Sequence, residues 1–436
     1  MGNDGWTVST FARLIEAGIL EIGDGYRAQN AELGEDGPIF LRAGHVTDTH
    51  IDFTGVERFR AELADRVRPK MSRPGDVIIT TKGNSTGRVS RVAPTMPPFV
   101  YSPHLSYWRS LDPRRLSPGF LRYWSRSREF RDQLLGLKGS TDMAPYLSLA
   151  DQKRLRITLP PSERQQEISR ILGSLDDKID LNRRMNETLE AIARALFRSW
   201  FVDFDPVRAK LEGRQPAGMD AETAALFPDS FEDSPLGKTP RGWRAGHLGD
   251  VAVNQRRGAA VGEIEPNTPY IGLEHMPRRS IALAEWGDSD GLESNKFQFA
   301  EGDILFGKLR PYFHKVGVAA TGGVCSTDIL VIAPKQSKWF AFTLGHASSD
   351  EFIRYTDAGS SGTKMPRTNW ADMARYEIVI PHDSVAAEFT KIVRPLVEAI
   401  RSHILQNQTL AALRDALLPN LLSGEIRVGG SGGLPA

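Results

Sequence analysis

At 436 residues, with 40% hydrophobic and 25% charged residues and a net charge of +1, the chain has room for two or three domains that each bury a core. It has no apolar stretch of about 18 residues, and its opening Met1-Gly-Asn-Asp-Gly-Trp6 lacks the build of a signal peptide, so a cytoplasmic chain without a membrane span is expected. One cysteine, Cys325, excludes a disulfide framework and a four-cysteine zinc site, and nine histidines without ligand spacing give no metal assignment.

In chain order, the first strand signals are Gly75 to Thr80 and Arg88 to Val92, separated by the turn Lys82-Gly-Asn-Ser-Thr-Gly87. A helical stretch is expected from Pro118 to Leu135. At Pro161 the pattern changes. Ser162 with Gln165 three residues on reads as a capping box, and a 4,3,4,3 spacing follows: Ile168, Leu172, Leu175, Ile179, Asn182, Asn186, Leu189, Ala193, Leu196, Trp200. That is a coiled-coil seam. Beyond a linker come strand signals at Asp303 to Phe306 and Lys315 to Ala319, with the turn Gly307 to Arg310 between them, and helix from Trp339 to Phe352. A second seam then runs Phe389, Val393, Leu396, Ile400, His403, Asn407, Leu410, Arg414, Leu417, Leu421. Pro395 predicts a kink or restart in that helix, as the weak helix formers Gly173-Ser174 do in the first.

The two halves are copies. Leu155-Arg-Ile-Thr-Leu-Pro160 matches Tyr376-Glu-Ile-Val-Ile-Pro381 at an offset of 221, which holds without a gap through the seam. Pro74-Gly-Asp-Val-Ile-Ile79 resembles Glu301-Gly-Asp-Ile-Leu-Phe306 at 227, and Gly5-Trp6 resembles Gly242-Trp243 at 237, so the second copy is 16 residues shorter within its globular part. Both seams turn polar at one central place, Asn182/Asn186 and His403/Asn407. Antiparallel pairing would bring these four into one layer that fixes register at some cost in stability. The expected fold is α+β: two globular domains in tandem, each followed by a long helix, the helices pairing as an antiparallel coiled coil with pseudo-two-fold symmetry. The expected divisions are 1–160, helix 161–203, linker 204–240, domain 241–382, helix 383–423 and tail 424–436.

Charge is uneven. Between Arg66 and Arg131 there are 14 Lys/Arg against 3 Asp/Glu, a local excess of +11. A solvated basic face is the plain reading. Interleaved Tyr101, His104, Tyr107, Trp108, Tyr123 and Trp124 raise a nucleic-acid contact, although some of them belong in a core.

Three stretches carry a family resemblance. Leu417-Leu-Pro-Asn-Leu-Leu-Ser-Gly-Glu-Ile-Arg427, Leu196-Phe-Arg-Ser-Trp-Phe-Val-Asp-Phe-Asp-Pro206, and the linker with Gly213-Arg-Gln-Pro-Ala-Gly-Met219 and Leu226-Phe-Pro-Asp-Ser-Phe231 resemble the specificity (S) subunit of type I restriction-modification enzymes over essentially the full chain. The resemblance implies a non-catalytic chain with two target-recognition domains held apart by antiparallel helices. It implies duplex DNA, two modification (methyltransferase) subunits and restriction (helicase-nuclease) subunits as partners. S-adenosylmethionine, ATP and Mg would then act in the partner subunits, with no cofactor in this chain. Catalytic motifs are missing in keeping with that. Gly359-Ser-Ser-Gly-Thr-Lys364 lacks phosphate-loop spacing, and Met96-Pro-Pro-Phe99 has Met96 where an amino-methyltransferase needs Asn or Asp.

Two loops per copy offer cations and donors for phosphates and base edges. In the first copy they supply Lys82, Asn84, Ser85, Thr86, Arg88 and Arg91, then Lys138, Ser140, Thr141 and Tyr146. In the second they supply Lys308, Arg310, Tyr312, His314 and Lys315, then Ser360, Ser361, Thr363, Lys364 and Arg367. Ordinary polar turns are the competing reading. Phe197, Phe201 and Phe204 are either docking surface for methyltransferase subunits or a cap on the domain's own core. Forty helical residues span on the order of 60 Å, more than one duplex turn of ~35 Å, so an asymmetric bipartite site with an unread gap is expected. The alternatives are a specificity subunit of a methylation-only or phage-defence system, a single-chain adenine methyltransferase fragment, and an interaction scaffold without a DNA role.

Overall fold

The computed structural model describes residues 5–47, 51–83, 85–138, 146–360 and 365–426. The chain divides into two units, Met1–Asp177 with Leu410–Ala436, and Lys178–Thr409. The division falls inside both long helices, the central helix Ser162–Phe201 and the distal helix Asp383–Ser423.

In the first unit β1 (Thr7–Thr10) pairs antiparallel with β9 (Arg156–Leu159) just before the central helix. A four-stranded sheet has the order β2 (Leu20–Asp24), β8 (Leu105–Ser110), β5 (Val77–Thr80), β6 (Val89–Arg91). A three-stranded sheet has β4 (Glu57–Phe59), β3 (Leu33–Leu41) and β7 (Phe99–Tyr101), the last two parallel. The β-branched run of β5 is buried on both faces: Val77 and Ile79 enter one core cluster and Ile78 another, as alternation along a strand requires. Phe11, Trp108, Trp124 and Phe130 form the aromatic heart of the larger cluster, with Phe11 edge-on to Trp108 at 5.0 Å. Ile168 and Leu172 of the central helix close it from one side of the sequence, and Leu418 and Leu421 of the distal helix from the other.

The second unit repeats this plan. After the hairpin β10 (Phe231–Ser234) and β11 (Gly237–Pro240), β12 (Arg244–His247) pairs with β21 (Glu377–Ile380). One sheet has the order β13 (Ala252–Asn254), β20 (Ile329–Pro334), β17 (Ile304–Gly307), β18 (Val316–Val318); the other has β14 (Gly258–Ala259), β16 (Lys296–Phe299), β19 (Gly323–Cys325), β15 (Tyr270–Ile271). The copies agree to the residue. Thr7 faces Leu159 as Arg244 faces Ile380, and Val77 faces Trp108 as Ile304 faces Ile332. Gly5 and Gly242, both at positive φ, abut Pro161 and His382 at equivalent places, so any side chain there would meet strain as well as a neighbour.

Four sequence expectations change. Gln165 does not complete a capping box: its side chain accepts from the Ser117 amide at 2.9 Å and donates to the Arg115 and Pro160 carbonyls, tying the helix to the preceding domain. The distal helix continues through Pro395 as one 41-residue element, and the central helix continues through Gly173-Ser174, so neither helix restarts there. Residues 204–240 are more than a linker, because Val207 and Phe227 are buried in the second unit's core and Trp200 meets Phe227 edge-on at 4.9 Å. Phe197 and Phe201 are buried in that core and half-buried Phe204 packs on it, so of their two readings the core cap holds and the docking surface falls. Among the described residues no helix is long and apolar enough to cross a membrane.

Candidate nucleic-acid interface

Much of the basic, aromatic run Arg66–Arg131 faces inward. Tyr101, Tyr107, Trp108, Tyr123 and Trp124 are core residues, while His104 is exposed. Arg109 is buried and binds Asp76 through two nitrogens, both at 2.7 Å, with Tyr101 donating to the same carboxylate at 2.7 Å. Burial first, then hydrogen bonding to Glu21, pushes the Tyr107 hydroxyl up to about 12. Arg122 is buried against Asp176 of the central helix at 2.6 Å, and burial pulls its guanidinium down to about 10. Part of the local positive charge is thus spent inside the fold.

Backbone hydrogen bonding brings the two candidate loops of each unit together. In the first, Lys82 forms an antiparallel bridge with Tyr146, and the Leu147 amide donates to the Thr81 carbonyl at 2.9 Å. In the second, Leu309 bridges Arg367, the Arg310 amide donates to Pro366 at 2.8 Å and the Thr368 amide to Lys308 at 3.1 Å. These bridges occupy equivalent positions, since Lys82 maps to Leu309 at the offset of 227 and Tyr146 to Arg367 at 221. Each unit therefore presents one composite surface made of the loop after its Gly-Asp strand and the loop before its helix.

The side chains on that surface divide into presenting and supporting groups. Lys82 and Arg88 are exposed, as are Tyr146 (59%) and Tyr312 (49%). Arg367 is exposed and donates to Asp328 at 3.0 Å, a pairing that raises its pKa further. Arg310 sits in the left-handed region at φ 52° with its guanidinium 5.9 Å from the Phe313 ring centre, and Lys308 is half-buried beside it.

The supporting groups turn inward. Thr86 is buried and donates to the Gly83 carbonyl at 2.6 Å, closing its turn, while the half-buried Ser85 offers its carbonyl to Thr80. Arg91 is bound to Asp177 at 2.9 Å. His314 is buried and bonded to the Ser348 carbonyl at 3.0 Å; burial, then Arg279 and Arg194, lower its pKa. Lys315 donates to the Leu273 carbonyl at 2.5 Å, with its pKa lowered by burial and by Arg278. The Ser360 hydroxyl donates to Asp357 at 2.7 Å. Thr86, Arg91, His314 and Lys315 thus each hold a contact within the protein that shapes these loops. Asn84, Ser140, Thr141, Ser361, Thr363 and Lys364 lie outside the described residues, as does the side chain of Lys138.

Sequence reasoning missed Asp328, whose carbonyl receives the Lys308 amide and whose carboxylate receives Arg367, so that it ties both second-unit loops. It lies outside both loops and carries no motif.

The four polar seam residues meet within the second unit. Asn182 donates to Asn407 at 2.8 Å and to Gln406 at 2.7 Å, and Asn186 meets His403 Nδ1 at 2.8 Å. Rising numbers on one helix meet falling numbers on the other, so the strands of this seam are antiparallel. Burial, then Lys178, lowers the His403 pKa.

Residues 68–191 match the family described as the Type I restriction modification DNA specificity domain. The chain is 28% identical over 330 residues to the type I restriction enzyme HindI specificity subunit of Haemophilus influenzae, covering 65% of this chain and 71% of that one. It is 26% identical over 322 residues to the MjaIX specificity subunit of Methanocaldococcus jannaschii, covering 71% and 69%. A crystal structure of a type I restriction-modification system S subunit from M. genitalium shares the fold at a TM-score of 0.54 and 14% identity, over 97% of both chains.

Proposed function

Taking the chain as a relative of the type I restriction specificity subunits, we propose that it reads an asymmetric bipartite DNA site, one half-site per unit. The observation that carries this is the repeated stitching of two loops at equivalent positions, Lys82 to Tyr146 and Leu309 to Arg367. One frame then bears two different sets of side chains. Lys82, Arg88 and Tyr146 make up one reader, and Arg310, Tyr312 and Arg367 the other. Arginine and lysine reach guanine edges or phosphates, and tyrosine donates to either. Different residues on the same frame select different half-sites.

The long helices set the gap. The Asn182–Asn407 and Asn186–His403 contacts support a single antiparallel register. Methyltransferase subunits, with S-adenosylmethionine, and restriction subunits, with ATP and Mg, supply the chemistry. Exposed Leu181, Met185 and Ile192 on the central helix take the docking role that the buried phenylalanines cannot.

A four-residue insertion in the central helix adds ~6 Å of rise and lengthens the preferred gap without changing either half-site. Mapping methylated adenines made by the complex with wild-type and lengthened chains tests this. An unchanged gap would remove the ruler from the proposal.

A further inference from the structure

A groove of about 640 Å³ opens in the first unit, outside the stitched loops but beginning at the end of one of them, Gly87 to Val89. Its other walls are the start of the short helix Arg128–Lys138 and the last turns of the distal helix. Five arginines line it: Arg88, Arg126, Arg128, Arg131 and Arg414.

The lining has two carboxylates, and both are engaged. Glu129 receives the Trp124 indole at 2.7 Å and the Thr158 hydroxyl at 2.9 Å, and Asp415 is paired with Arg414 at 2.8 Å. Arg126 and Arg131 form no ion pair among the described residues. Behind the wall, Asp176 answers Arg122 and Arg414 at once. The lining also carries apolar surface: Phe120, Trp124, Phe130 and Leu418 are buried edge of the core, while Pro419 is exposed and Leu422 half-buried. Beside that apolar surface the groove carries more guanidinium groups than carboxylates, with Arg126 half-buried and Arg131 exposed. Forks of this kind match phosphate oxygens.

We propose that this groove seats backbone phosphates of the bound duplex beside the half-site read by the first unit, with Arg126 and Arg131 as the contacting residues. It rests on the DNA-reading function proposed above and adds a sequence-independent anchor to it. A phosphate contact of this kind strengthens all DNA equally and steepens the dependence on salt.

The test uses the full chain and a fluorescently labelled duplex of arbitrary sequence, titrated by anisotropy at several salt concentrations. The Arg126→Gln/Arg131→Gln variant is expected to bind about tenfold more weakly, and its slope of log affinity against log salt is expected to fall by about two. The Arg126→Lys/Arg131→Lys variant, which keeps both charges, is expected to retain the slope. If the Gln variant matches wild type in slope and affinity while wild type binds, the groove is overturned and the function stands. Failure of wild type to bind duplex at any salt overturns both. Loss of methyltransferase-subunit binding with DNA binding intact also overturns the groove, marking it as a seat for an acidic protein segment. Should the double variant fail to unfold cooperatively on heating, exposed Arg131→Gln alone carries the test, with an expected slope change of about one.

Discussion

Asp176 is the residue on which the first unit's electrostatics converge. It accepts from the Tyr123 hydroxyl and from Arg414, each at 2.7 Å, and pairs with Arg122 at 2.6 Å. Burial pushes its pKa up, but Arg122, Arg414, Tyr123 and Arg126 outweigh that, and the net shift is downward. Asp176→Asn leaves Arg122 buried without a counter-charge and is expected to cost about 3–5 kcal/mol in chemical denaturation. Replacing both members, Arg122→Met with Asp176→Leu, is expected to cost less than Asp176→Asn alone, which a double-mutant cycle measures. The pH dependence has a definite sign. A carboxylate with a depressed folded pKa binds fewer protons folded than unfolded, so its stabilisation is complete above the ordinary value of about 3.9 and fades as pH falls toward the folded one. Wild type should therefore lose stability more steeply than Asp176→Asn below about pH 4. No sequence count could reveal this. The Arg66–Arg131 excess is visible as composition, but Asp176, which answers Arg122, and Glu21, the second partner of Arg109, lie outside the run.

Among elements, the paired helices were the most legible, because a 4,3,4,3 pattern sustained over ten positions matches the period of a helix pair and of little else. The polar layer was legible as matched positions, and the direction of pairing followed from its central place. What stayed hidden depended on distant residues. Gln165 has the spacing of a cap but finds better partners in Ser117, Arg115 and Pro160. Phe197 and Phe201 fall on helix positions that look outward until the chain beyond residue 204 folds back over them. The layer itself is open to test. Asn186→Ala removes the partner of His403 Nδ1 and is expected to destabilise the protein by about 1–2 kcal/mol. Asn186→Leu with His403→Leu is expected to raise the denaturation midpoint above wild type while relaxing the choice of gap length in a methylation map. A double leucine variant that keeps one strict gap would show that the layer does not set register.

At the scale of the whole molecule, duplication was readable to the residue, since the offsets of 237, 227 and 221 reappear as strand registers and loop bridges. The proposed interface was readable only as loops. Which side chains present themselves depended on contacts that sequence does not reveal, such as Arg91 to Asp177 and His314 to Ser348. Exchange of residues 241–382 for the matching part of another such chain is expected to change one half-site and to leave the other half-site and the gap alone. Adenine methylation mapping of the chimera checks this.

The make-up of the first unit sets a schedule for synthesis. Its core is lined by Leu418 and Leu421, which leave the ribosome after the whole of Lys178–Thr409. At roughly 5–20 residues per second, the nascent first unit waits on the order of tens of seconds with an open apolar flank. The second unit, whose segments are contiguous in the chain, can close during that interval. The unit begun first is thus finished last, and a chain that stalls before Leu418 holds one unit with all its segments made and one whose core lacks part of its lining.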